Sequence, residues 1–434
     1  PMMYLIGRKF FDQRYSLVVA SLFAFEPHLN YNSTLGMSEP ILILAVISAF
    51  YFILNQNTRF IIISLIMAGI VYWIRINGFW VFVVISIIYF LTQKKSRKFL
   101  ANYGIAIAVF LLVISPVLIE RNEEFGDPFY SVYKDTIFAG SYELMMKALE
   151  DNEKISAFDY IEKHGILSFV NNYILIGIYN TLAVTARLTL PYLFILIPFG
   201  ILFSFRAFDQ KSKYIKINWI FILSSFFSLC MIVAVVPEIR FLLFLLPSLI
   251  LFSVIPIQRV IEYGLNTFSF SRKQKDLFLV IVLIIVVILS GLFTLRYEPT
   301  DPTLESEKND FARFALENLN GNTLRDLGGA TDYVTDVILL EHNNFKDFQM
   351  DYWIDKSERK KYDFKTIAIS ATDLNELIMK GENLDLKYII SYDKNTFFYP
   401  FIDHIYHNEN DYPYLVKIFD SNEFGYEKFK IKIF

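Results

Sequence analysis

Residues 277–295 read LFLVIVLIIVVILSGLFTL and are followed at once by Arg296. A helix over this uncharged stretch, rising about 1.5 Å per residue, is long enough to cross the roughly 30 Å hydrocarbon core of a bilayer. No comparable run follows Arg296. The chain therefore reads as a membrane domain, 1–296, followed by a water-soluble domain, 297–434. Working back from Arg296, further apolar runs lie at about 15–30, 39–55, 59–75, 78–92, 100–119, 189–205, 217–236 and 240–257, which makes about nine spanning helices. The composition agrees: 434 residues, 54% hydrophobic, 20% charged and a mean hydropathy of +0.40 exclude an ordinary soluble enzyme.

Charge is distributed unevenly. Residues 1–296 carry 25 Lys/Arg against 18 Asp/Glu, and residues 297–434 carry 16 against 26, so a near-neutral total of −3 conceals a +7 part and a −10 part. With no concentrated basic face, nucleic acid is excluded as a partner, and the lipid bilayer is the implied one. Placing the amino end in the cytoplasm puts Arg8, Lys9, Arg14, Arg59, Lys94, Lys95, Arg97, Lys98, Arg206, Lys211, Lys213, Lys216, Arg259, Arg272, Lys273 and Lys275 in inner loops, as the positive-inside rule requires. Segment 166–188, interrupted by Asn171, Asn172, Asn180 and Arg187, is expected as an amphipathic helix on the outer surface. Nine crossings then place the carboxyl-terminal domain outside the cytoplasm of a multi-pass cell-membrane protein. In it a helix is expected at 305–319 and strands at 387–391, 414–419 and 427–433, where apolar and charged residues alternate, so a small α/β domain is expected. Cys230, the sole cysteine, lies in an apolar run and says nothing about redox compartment. The opening at Pro1, with Arg8 and Lys9 following a short apolar stretch, reads as the end of a helix in mid-protein rather than a signal peptide.

Ionisable groups at membrane depth are costly, so those at helix mouths are the functional candidates. On the outer side stand Glu26, Glu39, Arg75, Asn77, Glu120, Arg121, Asn122, Glu238 and Arg240, and the polar loop 120–165 is too long for a plain connection. Taken singly, Arg75 and Arg240 read equally as snorkelling anchors, and Glu39 as a helix N-terminal residue. Gathered on one face, carboxylates beside arginines suit transfer from a phosphate-linked lipid to a hydroxyl: the carboxylate takes the acceptor's proton and arginine grips the leaving phosphate.

The short motifs Leu22-Phe23-Ala24-Phe25-Glu26-Pro27-His28, Gly36-Met37-Ser38-Glu39-Pro40, Ile74-Arg75-Ile76-Asn77-Gly78, Pro116 to Asn122 with Phe125-Gly126-Asp127-Pro128, and Pro237 to Pro247, in that order, resemble the GT-C membrane glycosyltransferases. They are most similar to the branch of protein mannosyltransferases that use dolichyl-phosphate mannose and of aminoarabinose transferases, especially archaeal members, and 411–421 resembles the outer domain of those members. The resemblance implies a GT-C-like fold and an inverting transfer of a sugar from a polyprenyl-phosphate donor to a hydroxyl acceptor on a protein, lipid or glycan. It makes Glu39 the family's second acidic position and Arg75, Arg121, Asn122, Glu238 and Arg240 the substrate-binding residues. The family's principal acid would lie upstream of Pro1, and the chain alone is then expected to be inactive. No cofactor is implied with certainty, and a divalent metal requirement stays open. The reading from another class is a membrane transporter or a non-catalytic scaffold with an outer sensing domain. Two smaller signals are an Asn32-Ser33-Thr34 sequon and the pair His404 and His407 near Glu409, read as a solvated turn rather than a zinc site. No nucleotide-binding motif is present.

Overall fold

The computed structural model describes residues 1–34, 38–55, 57–93, 98–131, 134, 136–141, 144–145, 148, 154–205, 212–295, 301–324, 330–331, 334, 364–367, 369, 371, 373–393 and 400–434. The chain divides into two compact units, Pro1–Tyr297 and Glu298–Phe434. Lys94, Lys95, Arg97, Arg206, Lys211, Arg296 and the motif residues Gly36 and Met37 lie outside the described residues.

The first unit is helical. Helices α1 (Met2–Phe10) and α2 (Gln13–Ala24) form a hairpin in which Asp12 caps α2 by accepting from the Tyr15 amide at 3.1 Å. The expected span 15–30 is not one helix. Proline 27 has no amide hydrogen to continue the ladder, and it instead opens a separate helix, α3 (Pro27–Thr34). Next come α4 (Glu39–Ile53), α5 (Thr58–Ile74), α6 (Phe79–Thr92) and α7 (Phe99–Phe125). Ser64 Oγ donates to the Ala49 carbonyl at 2.7 Å and locks α4 and α5 antiparallel. Helix α7 outruns its expected end at 119, because Glu120 to Glu124 are themselves helix-compatible, and stops at Gly126, whose φ of 69° is left-handed. After α8 (Ala157–His164) come the helical run α9 (Ile166–Leu188), α10 (Leu193–Ser204), α11 (Ser212–Val235), α12 (Leu246–Arg259) and α13 (Arg272–Thr294).

The expected nine spans need correction. Among the described residues, five helical runs are long and apolar enough to cross a membrane: Phe99–Phe125, Ile166–Leu188, Lys213–Val235, Leu243–Gly264 and Arg272–Thr294. Helices α4, α5, α6 and α10 are apolar but shorter. The run expected to lie on the surface, α9, is thus as long and apolar as a spanning helix. Its Tyr173 carbonyl nevertheless accepts from Cys230 Sγ, and its Asn180 Nδ2 donates to the Val233 and Ala234 carbonyls, all at one end of α11.

The apolar window of the run Leu243–Gly264, which contains α12, is 83% buried, against 17% in α7, α9 and α13, so α12 lies in the core and the other three leave most of their apolar surface uncovered by protein. Lipid removes the hydrophobic drive between helices, and close backbone approach has to replace it. Gly200 of α10 shows how: a Cβ built there would stand 2.0 Å from the Phe252 carbonyl oxygen of α12. Ionisable groups are confined to the ends. At one end Arg14 bridges Asp276 at 2.9 Å and Glu262 at 3.2 Å, and Lys9 Nζ donates to Asn55 Oδ1 at 2.6 Å. Ser290 Oγ donates to the Phe25 carbonyl at the opposite end, so α2 and α13 run parallel.

In the second unit α14 (Pro302–Asn318) is capped by Asp301. Strands β1 (Gly321–Leu324), β2 (Phe364–Ile367) and β3 (Leu386–Tyr388) form a parallel sheet in the order β2-β1-β3. Strands β4 (Ile390–Tyr392), β5 (Phe419–Asp420) and β6 (Ile431–Ile433) form an antiparallel one in the order β4-β6-β5. Two further helices, α15 (Leu374–Glu382) and α16 (Pro400–His407), complete the described elements. Phe311 of α14 packs edge-on against Phe419 and Phe429, at centroid distances of 5.7 and 5.6 Å.

The expected helix at 305–319 is present, but the strands are shorter than expected. Segment 387–391 is split between β3 and β4, and 414–419 contributes only its last residue. Segment 427–433 is a strand only from Ile431, for a visible reason. Buried Glu307 of α14 accepts the amides of Glu427, Lys428 and Phe429 at 2.6, 2.9 and 2.7 Å, so these groups are unavailable to a ladder. Burial alone would raise this carboxyl's pKa. The three donors outweigh burial and hold it below the usual glutamate value.

Two outcomes follow from this packing. Gly200→Ala should destabilise the helical unit by about 1–3 kcal/mol, as overpacking at a backbone contact does, seen as a lower midpoint in detergent unfolding. Replacing Glu307 by Gln should cost about 2 kcal/mol or more, since charge-assisted bonds are lost. Because its folded pKa is depressed, the Glu307 contribution is present above its unfolded pKa and fades as pH falls through the folded value. The gap between wild type and Glu307→Gln should therefore be full near pH 7 and close as acid titrates Glu307. A gap independent of pH would contradict the carboxylate's role.

Candidate functional site

At the end of the helical unit opposite Arg14, Glu39 opens α4, where the helix dipole favours a negative charge, and Arg75 follows α5 in an extended conformation. The α4–α5 hairpin brings the two together. Arg75 Nη2 donates to Glu39 Oε1 at 2.6 Å and Arg75 Nε to Ser38 Oγ at 3.2 Å. The Glu39 side chain is 1% exposed and that of Arg75 27%, so this is a carboxylate sunk in protein beneath a half-wetted cation. Its second oxygen, Oε2, is buried with no hydrogen-bond partner among the described residues. Arg75 thus engages one oxygen of this carboxyl and leaves the other an unused acceptor.

The same end holds a cavity of ≈ 630 Å³. Tyr72, Ile76, Phe79, Trp80 and Val83 supply one wall, Ser228, Ile232 and Val236 of α11 and its C-terminal edge a second, and Phe129, Ser131, Lys134, Ile137 and Met145, which follow α7, a third. Glu238, Arg240 and Phe241 complete it. Pro237 prevents α11 from continuing and the chain turns through a short 3-10 segment, Ile239–Phe241, which sets Arg240 on the cavity edge. Arg240 is ion-paired through Nε with Glu238, and its guanidinium lies 5.4 Å from the Phe241 ring centre. Lys134 is held by Asp127 at 2.7 Å. The result is an apolar, aromatic chamber rimmed by two ion pairs, Arg240 with Glu238 and Lys134 with Asp127.

Of the residues picked out from sequence, Glu238 and Arg240 line the cavity. Glu39 and Arg75 face each other instead, although Ile76 carries the cavity wall on from Arg75. Arg121 Nη1 donates to the Tyr130 carbonyl and so ties down the loop that forms the third wall, helped by stacked Phe125 and Tyr130 with centroids 4.1 Å apart. Asn122 is exposed. Glu26 is buried and accepts from the Leu29 amide at 2.7 Å and meets His28 Nδ1 at 2.9 Å, so it shapes the start of α3. Asn32 of the sequon sits in α3, with Nδ2 donating to the His28 carbonyl. His404 contacts Tyr412 and Asn408 while His407 pairs with Asp393 at 3.1 Å, so the two rings serve different partners. No group of three His, Cys, Asp or Glu able to hold a metal occurs among the described residues. Sequence reasoning missed Tyr72, Trp80 and Lys134. Tyr72 precedes Arg75 by three residues, one helical turn, and that spacing was its available signal.

Fold and site together define a multi-pass helical membrane protein with an apolar cavity, edged by ion pairs, at one end of its helical unit. No protein-family model matches the chain, and no curated protein does. Among solved structures it is similar to the apo-form crystal structure of the Archaeoglobus fulgidus oligosaccharyltransferase, at 12% identity over 90% of this chain and 57% of that one, with a TM-score of 0.48. The chain thus spans little more than half the length of that protein.

The Glu39–Arg75 pair yields a stability outcome. Arg75→Ala strands a buried charge and should cost about 3–5 kcal/mol, whereas the double replacement Glu39→Gln with Arg75→Met should cost much less. Additive losses in a double-mutant cycle, read by detergent unfolding, would show that the pair is not coupled.

Proposed function

We propose that the protein is a membrane glycosyltransferase that takes a sugar from a polyprenyl-phosphate donor and passes it to a hydroxyl on the extracytoplasmic face. The observation that carries this reading is the cavity: an aromatic chamber within membrane helices, rimmed by Arg240 and Lys134. The lipid end of such a donor matches the apolar walls, and its phosphate matches the cations. In the reaction the acceptor oxygen attacks the anomeric carbon from the face opposite the phosphate. The bond from that carbon to the phosphate oxygen breaks, and the polyprenyl phosphate departs with the electron pair. A carboxylate takes the acceptor's proton. Glu39, with one oxygen unengaged, serves as the accessory acidic group that the sequence resemblance assigns it.

Arg240 is placed on the donor phosphate because its planar fork can hold two phosphate oxygens and keeps its charge at the membrane edge. Arg121 acts by tying down the wall segment through the Tyr130 carbonyl and Arg75 by pairing with Glu39, while exposed Asn122 keeps the substrate-binding role that the resemblance implies. The resemblance of 1–296 to enzymes that use dolichyl-phosphate mannose makes mannose the first sugar to test. In this reading the second unit, whose −10 charge keeps it out of the bilayer, lies outside the cytoplasm.

Binding of a radiolabelled polyprenyl-phosphate sugar to the protein in nanodiscs tests the assignment. Arg240→Lys should weaken binding about tenfold or more, since loss of a bidentate charged contact costs on the order of 1.5–3 kcal/mol. A snorkelling anchor would tolerate Lys. Undiminished binding by Arg240→Lys and by Arg240→Ala alike would remove the phosphate role.

A further inference from the structure

Helix α8 carries an apolar edge that no described residue covers. Phe158 is 83% exposed, and Ile166 and Leu167, which open α9 just beyond it, are 64% and 82% exposed. Asp159, Glu162 and Lys163 stand exposed on the same short stretch. Tyr160 is buried, and two residues apart on an α-helix it points nearly opposite to Phe158. The helix therefore has one side against protein and another, with Phe158 on it, against something else. What covers that side follows from its continuity with α9. Ile166 and Leu167 belong to that helix, whose apolar window is only 17% buried and whose Leu175, Tyr179 and Leu182 are also exposed, as a lipid-facing surface is. Hydrocarbon cannot take the charges of Asp159, Glu162 and Lys163, and water gains nothing from Phe158 and Leu167. A bilayer surface accommodates both.

The buried side of α8 leads to the cavity. Tyr160 packs edge-on against Tyr173 of α9, with centroids 5.2 Å apart, and its hydroxyl accepts from Asn172 at 2.7 Å. Tyr173 in turn donates to the Ile137 carbonyl at 3.2 Å, and its ring lies 5.4 Å from that of Phe138. Ile137 is a cavity-wall residue. Close by, a Cβ built at Gly140 would stand 3.2 Å from the Tyr160 ring. The wall turn 137–140 thus rests on two tyrosines, one of α8 and one of α9.

We propose that α8 is a lipid-binding element, seated on the bilayer surface through Phe158, Ile166 and Leu167, and that this seat holds the third wall of the cavity through Tyr160 and Tyr173. The seat is apolar in origin, because Asp159 and Glu162 against Lys163 give α8 no excess of positive charge for anionic headgroups to attract. Gly165, at a left-handed φ of 84°, ends α8 and lets the chain change direction before α9 begins. None of this depends on what the cavity binds.

The test uses the full chain in phosphatidylcholine nanodiscs. Phe158→Cys, Lys163→Cys and Leu167→Cys are made one at a time in a Cys230→Ala background and labelled with a fluorophore. Labels at 158 and 167 should be quenched mainly by lipid carrying a nitroxide near the headgroup, and the label at 163 mainly by aqueous iodide. Iodide quenching at 158 and 167 equal to that at 163 would overturn the seat. Stronger quenching there by a nitroxide deep in the acyl chain would put α8 in the hydrocarbon and overturn its place at the surface. The hold on the wall is read separately, by hydrogen exchange of an otherwise native chain carrying Phe158→Asp and Leu167→Asp. Amides of 157–165 and of 137–140 should both exchange about tenfold faster or more, the change expected when a large apolar side chain loses its burial. Unchanged exchange at 157–165 would show that lipid does not hold α8. Faster exchange there with none at 137–140 would sink the link to the wall, and faster exchange throughout α11 and α12 would show general unfolding and sink it too.

Discussion

Taking a charge into hydrocarbon costs several kcal/mol unless it is paired or wetted, and the arrangement of the helical unit follows from that cost. Ionisable residues are driven to helix ends, where each must find a partner or water. At one end Arg14 serves Asp276 and Glu262, tying the start of α2 to the α12–α13 turn. At the other, Arg75 serves Glu39, Glu238 serves Arg240 and Asp127 serves Lys134. The two ends differ in their depth. The Arg14 cluster has side chains 31–47% exposed, whereas Glu39 is sealed at 1%. A sealed carboxylate with an unengaged oxygen is expensive, and it stands at the end that also has the cavity.

Hydrocarbon also changes how helices find each other. Apolar faces gain little by meeting one another in lipid, so contact has to come from shape and from backbone approach. At Gly200 and Gly177 a neighbouring helix comes so close that an added Cβ would meet its backbone carbonyl, that of Phe252 and of Cys230. The second unit obeys ordinary aqueous rules instead. There the Phe311, Phe419 and Phe429 cluster gains from leaving water, and one buried carboxylate, Glu307, organises the turn before β6 by collecting three amides.

Hydropathy alone made most helices legible, because an uninterrupted apolar run has few alternatives to a helix in lipid. It misjudged the run 15–30, where Pro27 begins a new helix inside an otherwise apolar stretch. It also set α9 apart from the spanning helices on account of Asn171, Asn172 and Asn180, which cost little in length or mean apolarity. Short strands were overestimated, since alternation marks a solvated face but not whether the amides are free. At 427–429 they are occupied by Glu307, a residue 120 positions away in the chain. The ionisable candidates at the helix ends were visible because charge in apolar sequence stands out, though only Glu238 and Arg240 of them line the cavity. Tyr72 and Trp80 were not, because aromatic residues in membrane helices are ordinary until a fold shows which of them face a cavity and which lack a partner.

Two buried oxygens at one end of the helical unit, Glu39 Oε2 and the Tyr72 hydroxyl, are without partners among the described residues. They come from the adjoining ends of α4 and α5, and the Glu39–Arg75 bond fixes their separation along that hairpin. One is an acceptor and the other can both donate and accept. Neither oxygen contributes to folding as it stands, and each is a net cost to the unliganded protein. Both stand at the end of the helical unit that holds the chamber of ≈ 630 Å³, though Glu39 is not one of its lining residues, and buried Gln93 Nε2, Thr185 Oγ1, Asn218 Oδ1 and Ser225 Oγ are likewise without partners among the described residues.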